Sequence, residues 1–407
     1  MARPPVRGLL AVLAVLTVAG GCTAPVSAKG PADTARPVAA PSPTDHPVVA
    51  KTETPPVAAP VPPPPPPPPV TGAWLWPFTH LFNADYVDVH SIGQHFGLKA
   101  SWVVSGRVMQ LADARGRVRL RFEERNRAFF LEGVRVFLGE TTAFSQSSLW
   151  VGKADVIKTI VPLLQPADHA GQLPAPPKLI VLDAGHGGND SGTQNAALHL
   201  DEKDMTLDVV LRLKKVLEAR GYRVLLTRAD DRRVELEQRP EIAGRARADL
   251  LLSVHFNNAE ASVAGTEVYS LTPQFQTSTQ PEKDKQMVPA LFPGNRQDYA
   301  NTLLGYQLQR RLLADLRTSD RGAKRARWVV LRFAECPAAL IEVAFLSNAA
   351  EARRVATPEY RQQIAQAIAG GVDDYAAALA AVHPPPPVPV EIHAAPPATQ
   401  PPPPTSH

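Results

Sequence analysis

The sequence predicts an α/β protein: a three-layer domain with a largely parallel sheet flanked by helices, preceded by a small α+β domain. Three observations carry that expectation. Apolar runs at residues 179–183, 223–227, 249–254, 266–271, 328–333 and 338–345 have the length and composition of buried strands. Helical patterns alternate with them, which is the order a parallel sheet needs for its crossovers. Upstream, between residues 77 and 165, the pattern changes to short strands of period two.

In the first helix of the main domain, Met205, Val209, Leu213 and Val216 share one face, while Lys214, Lys215 and Glu218 turn to water. Two more helices are expected at 298–317 and 359–380, the second opening after Pro358, where a proline fits the first turn. In the small domain, Arg117, Arg119 and Arg121 alternate with Val118, Leu120 and Phe122, as in a strand with one buried face. Phe129 to Leu131 and Val134 to Leu138 flank Glu132-Gly133 and read as a hairpin. Tyr86 to Val89 leads into a helix-like stretch from Ser91 to Leu98. This segment loosely resembles the small repeat at the N-terminus of copper amine oxidases and in many bacterial envelope proteins, a likeness that implies no copper chemistry. The arginine row is read as a solvated strand face rather than a polymer-binding one.

The remaining segments are not expected to pack. Of the 43 prolines, most lie in a linker at 23–76 and a tail at 382–407, where little apolar surface is available for burial. Eight consecutive prolines, Pro62 to Pro69, would extend about 25 Å at ~3.1 Å per residue. A second, shorter linker is expected at 166–177. Residues 1–22 have the build of an export signal: Arg3 and Arg7, then an apolar run from Leu9 to Ala19. It closes on Ala19-Gly20-Gly21-Cys22, which resembles a bacterial lipoprotein processing box and makes Cys22 a lipidation site; cleavage after Val26-Ser27-Ala28 is the competing reading. Either way the expected location is the cell envelope, periplasmic and, with a lipid on Cys22, membrane-anchored.

Bulk properties exclude some classes. With 43 Lys and Arg against 39 Asp and Glu, the net charge is +4, too weak a field to imply nucleic acid. Two cysteines, Cys22 and Cys336, stand in such different contexts that no disulfide framework is expected, and Cys336 reads as a small buried hydrophobe.

The chemistry is concentrated in a few side chains of the main domain. His186 lies between glycines at the end of the first strand, Glu202 opens the first helix, and His255 lies in the third strand. Together they offer a His, Glu, His set of the kind that holds a catalytic zinc with one position left open. Each has a plainer explanation when taken alone: a turn residue, an acid at a helix start, a hydrogen-bonded core histidine. Glu342 is harder to dismiss, because a carboxylate inside Leu340-Ile341-Glu342-Val343-Ala344 is costly to bury unless paired or functional.

Six pieces in order, Leu182 to Gly188, Glu202 to Asp204, Leu226 to Arg228, Ala248 to Leu250 with Ser253 to Asn257, Arg321 to Lys324, and Ile341-Glu342 with Phe345 to Asn348, make residues 178–381 resemble the zinc-dependent N-acetylmuramoyl-L-alanine amidases of bacterial cell walls. The resemblance implies one Zn2+ held by His186, Glu202 and His255. It implies Glu342 as general base for hydrolysis of the amide between N-acetylmuramic acid and L-alanine, with peptidoglycan as substrate. Arg228 and Asn257 are expected to be structural. Ala184, Phe256 and Ala344 depart from the usual proline, small residue and glycine, so Phe256 is expected to reshape the cleft. His199 is a competing ligand without a motif partner. A polar insertion at 271–298, with Pro273, Pro281, Pro289 and Pro293, is expected to be a substrate-facing loop rather than an occluding helix. Two other functions stay open at this point: a non-catalytic peptidoglycan-binding scaffold, and a zinc peptidase acting on stem peptides. No regulatory protein partner is indicated.

Overall fold

The computed structural model describes residues 76–280 and 285–383. The expected export signal, Cys22, most of the proline-rich linker and the tail from Pro384 lie outside the described residues. No helix among the described residues is long and apolar enough to cross a membrane.

The N-terminal part contains β1 (Thr79–Leu81), β2 (Ala84–Asp88), α1 (Val89–His95), β3 (Lys99–Val104), β4 (Val108–Ala112), β5 (Val118–Glu123), β6 (Ala128–Leu131), β7 (Val134–Phe137), β8 (Ala143–Ser145) and β9 (Ser148–Gly152), followed by the short helices α2 (Lys153–Asp155) and α3 (Val161–Leu164). The expected hairpin is β6 and β7, turning at Glu132 and Gly133, both with positive φ. On β5, Leu120 and Phe122 are buried in this part's core, while Arg119 pairs with Glu132 at 2.8 Å on the other face. Residues 166–172, inside the expected second linker, form a 3-10 helix whose His169 stacks on Tyr299 at 3.9 Å.

The larger part continues with β10 (Leu179–Ala184), β11 (Gln194–Asn195), β12 (Leu200–Asp201), α4 (Glu202–Ala219), β13 (Arg223–Leu226), α5 (Gln238–Arg245), β14 (Leu250–Asn257), β15 (Thr266–Leu271), α6 (Asp298–Leu316), β16 (Asp320–Ala326), α7 (Val329–Arg332), β17 (Ala338–Phe345), α8 (Ala349–Val355) and α9 (Pro358–Val382). Its six long strands run in the order β13-β10-β14-β17-β15-β16. All neighbours are parallel except β15 and β17, so the sheet is largely parallel, as expected. β16 then pairs with β7 through Ala323 and Val136, joining both parts in one sheet of eleven strands.

Strand alternation divides the core into layers. Ile180, Leu182, Leu252, Val254, Ile341 and Val343 face the long helices α4, α6 and α9. Val181, Leu251, Leu340, Tyr269 and Leu271 face α5 and α7 on the other side. Helix ends follow local chemistry: Thr357 caps α9 ahead of Pro358, and α6 stops where Arg317 takes a left-handed conformation.

Two expectations are corrected. The run 328–333 is not a strand; it contains the helical turn α7, and its buried positions Val330 and Leu331, with Ala334 just beyond it, have helical spacing. The strand lies one segment earlier, at β16. The described residues of the insertion expected at 271–298 leave the sheet at the end opposite the candidate site rather than facing it. Because β15 runs antiparallel to β17, with Glu267 opposite Glu342, its chain travels away from that end of the sheet and delivers Leu271 to the far end. Beyond it, Arg327 binds the Pro273 and Gln276 carbonyls, and Arg127 of the N-terminal part binds those of Thr277 and Ser278.

Candidate active site

The face of the sheet that carries Leu251 and Leu340 turns polar toward the carboxyl ends of β14 and β17, where it presents His255 and Glu342. These two residues lie directly opposite each other in the parallel pair. Beside them the chain leaves β10 through Gly185, His186, Gly187 and Gly188, the last three all at positive φ. Two buried arginines fix this turn. Arg228 donates to the Ala184 and Gly185 carbonyls at 2.9 and 2.8 Å, and Arg239 to those of Ala184 and His186 at 2.9 and 3.0 Å. Asp183 beneath them accepts from Thr227, Ser253 and Arg239 at 2.6 to 2.7 Å. With donors and acceptors this well matched, the left-handed His186 (φ 61°) is held by its surroundings rather than by its own preference.

Glu202 arrives from the other layer, as the first residue of α4. Its carboxylate accepts from the Phe256 amide at 2.9 Å and the Thr193 amide at 2.8 Å. Its Oε1 lies 3.1 Å from His186 Nε2 and 3.0 Å from His255 Nδ1. Three potential ligand atoms, one from each of His186, Glu202 and His255, thus lie within 4.8 Å of one another. His186 Nδ1 also approaches Asp190 Oδ2 at 3.0 Å, although not aligned for a hydrogen bond. Burial would raise the Glu202 pKa, but the two imidazoles outweigh it and hold the carboxyl well below its usual range. For His186 burial pulls downward, and the contacts with Glu202 and Asp190 reverse the sign and raise it.

Glu342 is 9% exposed, and its Oε2 has no hydrogen-bond partner. Burial, then the neighbouring carboxylates Glu202 and Glu267, push its pKa well above the ordinary value, against the pull of Lys324. A buried oxygen without a partner, next to a convergent His, Glu, His set, is suited to exchange protons with a bound molecule.

The four residues expected together are therefore together. His199 is exposed and outside the set. Arg228 is structural, as expected, and Asn257 donates to Glu267 at 2.7 Å. Phe256 does not reshape the cleft: its side chain lies in the core on the opposite face from His255. Cys336 packs against the apolar cluster around Val181 and Leu340. Glu267 was missed, because in Thr266-Glu267-Val268-Tyr269 it has the spacing of an ordinary strand residue; only its opposition to Glu342 reveals it.

Residues 180–374 match the family model described as N-acetylmuramoyl-L-alanine amidase. YqiI of Bacillus subtilis, an uncharacterized protein, is 32% identical over 217 residues, covering 53% of this chain and 91% of that protein. AmiA of Escherichia coli, an N-acetylmuramoyl-L-alanine amidase, is 31% identical over 224 residues, covering 49% and 76%. LytC of B. subtilis, another such amidase, is 34% identical over 197 residues, covering 48% of this chain but only 35% of LytC.

Proposed function

Because the chain belongs to the N-acetylmuramoyl-L-alanine amidase family, we propose that it hydrolyses the amide between N-acetylmuramic acid and L-alanine in peptidoglycan, with one zinc ion as cofactor. The observation that carries this reading is the convergence of His186, Glu202 and His255 beside the unpartnered oxygen of Glu342. The donor set fits zinc: two imidazoles and one carboxylate leave an open position. When bound, zinc supplies Lewis-acid polarisation of the scissile carbonyl and acidifies water. The chain's own residues do the rest. The Phe256 and Thr193 amides aim the Glu202 carboxylate, Arg239 and Arg228 fix the turn that presents His186, and Glu342 takes a proton from water and passes it to the departing amine of L-alanine. A carboxyl whose pKa is raised above its ordinary value by burial and by its carboxylate neighbours suits both halves of that transfer.

The test is incubation of purified protein with peptidoglycan and identification of the new ends. Free L-alanine amino termini are expected; cleavage within stem peptides would make the protein a peptidase, and binding without new ends would make it a scaffold. Glu342→Gln should lower kcat by about 10²- to 10⁴-fold with zinc content unchanged by elemental analysis, whereas His255→Ala should lose the metal. Export and lipid attachment at Cys22 belong to the same proposal and place the enzyme in the cell envelope. Metabolic labelling with a fatty acid should mark the wild type and spare Cys22→Ala; label on both overturns that assignment.

A further inference from the structure

The motif Arg321-Gly322-Ala323-Lys324 finds no use in the mechanism above, yet it leads into the site. His255, Glu342 and Glu267 stand side by side on three adjacent strands, β14, β17 and β15. Glu267 is 2% exposed and accepts from four side chains. Asn257 Nδ2 and Tyr269 OH bind Oε1 at 2.7 and 2.8 Å; Arg321 Nε and Lys324 Nζ bind Oε2 at 2.9 and 2.5 Å. Its carboxylate therefore ties β14, which carries His255, to β16, across the strand that carries Glu342. Lys324 is paired in register with Tyr269 rather than Glu267, so its side chain leans back along the strand to make this contact.

We propose that Lys324 is a positioning residue for amide hydrolysis: by holding Glu267 from β16 it keeps that carboxylate turned away from Glu342, whose free oxygen stays available to water. The inference rests on the reading of the site as an amidase. A buried ion pair is a poor device for stability alone, since its desolvation cost is seldom recovered and apolar residues of similar size do as well. Lys324 is 8% exposed and also lies 5.6 Å from the Tyr269 ring and 5.7 Å from the Phe137 ring, so an apolar side chain would find neighbours there. Two adjacent buried carboxylates, one saturated with donors and one with none on Oε2, form an arrangement that separates a fixed support from a working group. Without Lys324, Oε2 of Glu267 retains only Arg321, whose side chain is 33% exposed, while Asn257 and Tyr269 still hold Oε1; the carboxylate keeps three of its four donors but gains freedom to turn Oε2 toward Glu342.

The test compares wild type, K324M, K324R, E267Q and the K324M/E267Q double variant, zinc-loaded, on a soluble muropeptide, with kcat, KM, zinc content and melting temperature measured for each. K324M is expected to lose about 10- to 100-fold in kcat with KM and zinc content unchanged. K324R should recover most of the loss, and the K324M/E267Q pair should fall little further than either alone. Wild-type kcat in K324M overturns the proposal. So does a loss that follows zinc content or melting temperature and that K324R shares. Should K324M fail to fold, E267Q decides the question by the same criteria. An active wild type with an unimpaired K324M sinks this inference only; an inactive wild type sinks the amidase reading and this inference with it.

Discussion

At Glu342 a single side chain links the proposed catalysis to stability. Its pKa is raised from an ordinary 4.5, first by burial and then by Glu202 and Glu267. In the metal-free protein the native state therefore keeps this proton after the unfolded chain has lost it. Below 4.5 both states are protonated and the contribution is complete; as pH rises from there to the folded pKa, stability is lost, and above it the loss levels off. Denaturant midpoints measured across that window should fall with pH in the wild type and fall less steeply in Glu342→Gln. Equal slopes in the two proteins would mean that Glu342 ionises as freely in the fold as outside it.

At the scale of elements, the turn after β10 is built around a side chain it does not contain. A Cβ on Gly185 would lie 2.3 Å from His255 Cε1, so this residue has to be glycine for the two histidines to approach with ring centroids 5.0 Å apart. Gly185→Ala should displace the His255 ring and weaken zinc binding by roughly tenfold or more, read by competition with a chelator, while leaving the far half of the sheet folded. Elements of this kind were legible in sequence because apolar runs marked their strands: β10, β13, β14, β15 and β17 all fall where hydrophobicity placed them. β16 was not. Asp320-Arg321-Gly322-Ala323-Lys324-Arg325-Ala326 is polar, and its buried charges meet carboxylates that come from other elements, Glu267 for Lys324 and Asp155 for Arg325. A pairing settled by tertiary contact leaves no periodicity to read. The four principal site residues were legible for the opposite reason, since each has a local motif, whereas Glu267 is defined only by its neighbour across the sheet.

At the scale of the whole molecule, the two parts are joined by more than the meeting of β7 and β16. Arg325, buried, donates to Asp155 at 3.2 Å, to Gln276 at 2.5 Å and to Thr159, and Lys158 reaches Asp298 at 3.0 Å. Tyr306 of α6 and Ala323 of β16 belong to the apolar core of the N-terminal part. Replacing Arg325 with Met leaves the buried Asp155 with only the Gly139 and Glu140 amides and Gln276 as donors and no counter-charge at this contact, and breaking a buried pair in this way costs up to about 3 to 5 kcal/mol. Calorimetry of Arg325→Met should therefore show a lower melting temperature with a single transition if the two parts unfold as one. Two separated transitions in the wild type would show instead that they melt independently.

The chain that follows β15 has a practical meaning for anyone handling this protein. Phe275, 67% exposed, projects from the rim remote from His186 and Glu342, and the native Cys336 is sheltered. A thiol introduced there offers an anchorage for dyes or solid supports that leaves the catalytic mouth unobstructed, even to a polymer as bulky as a murein strand.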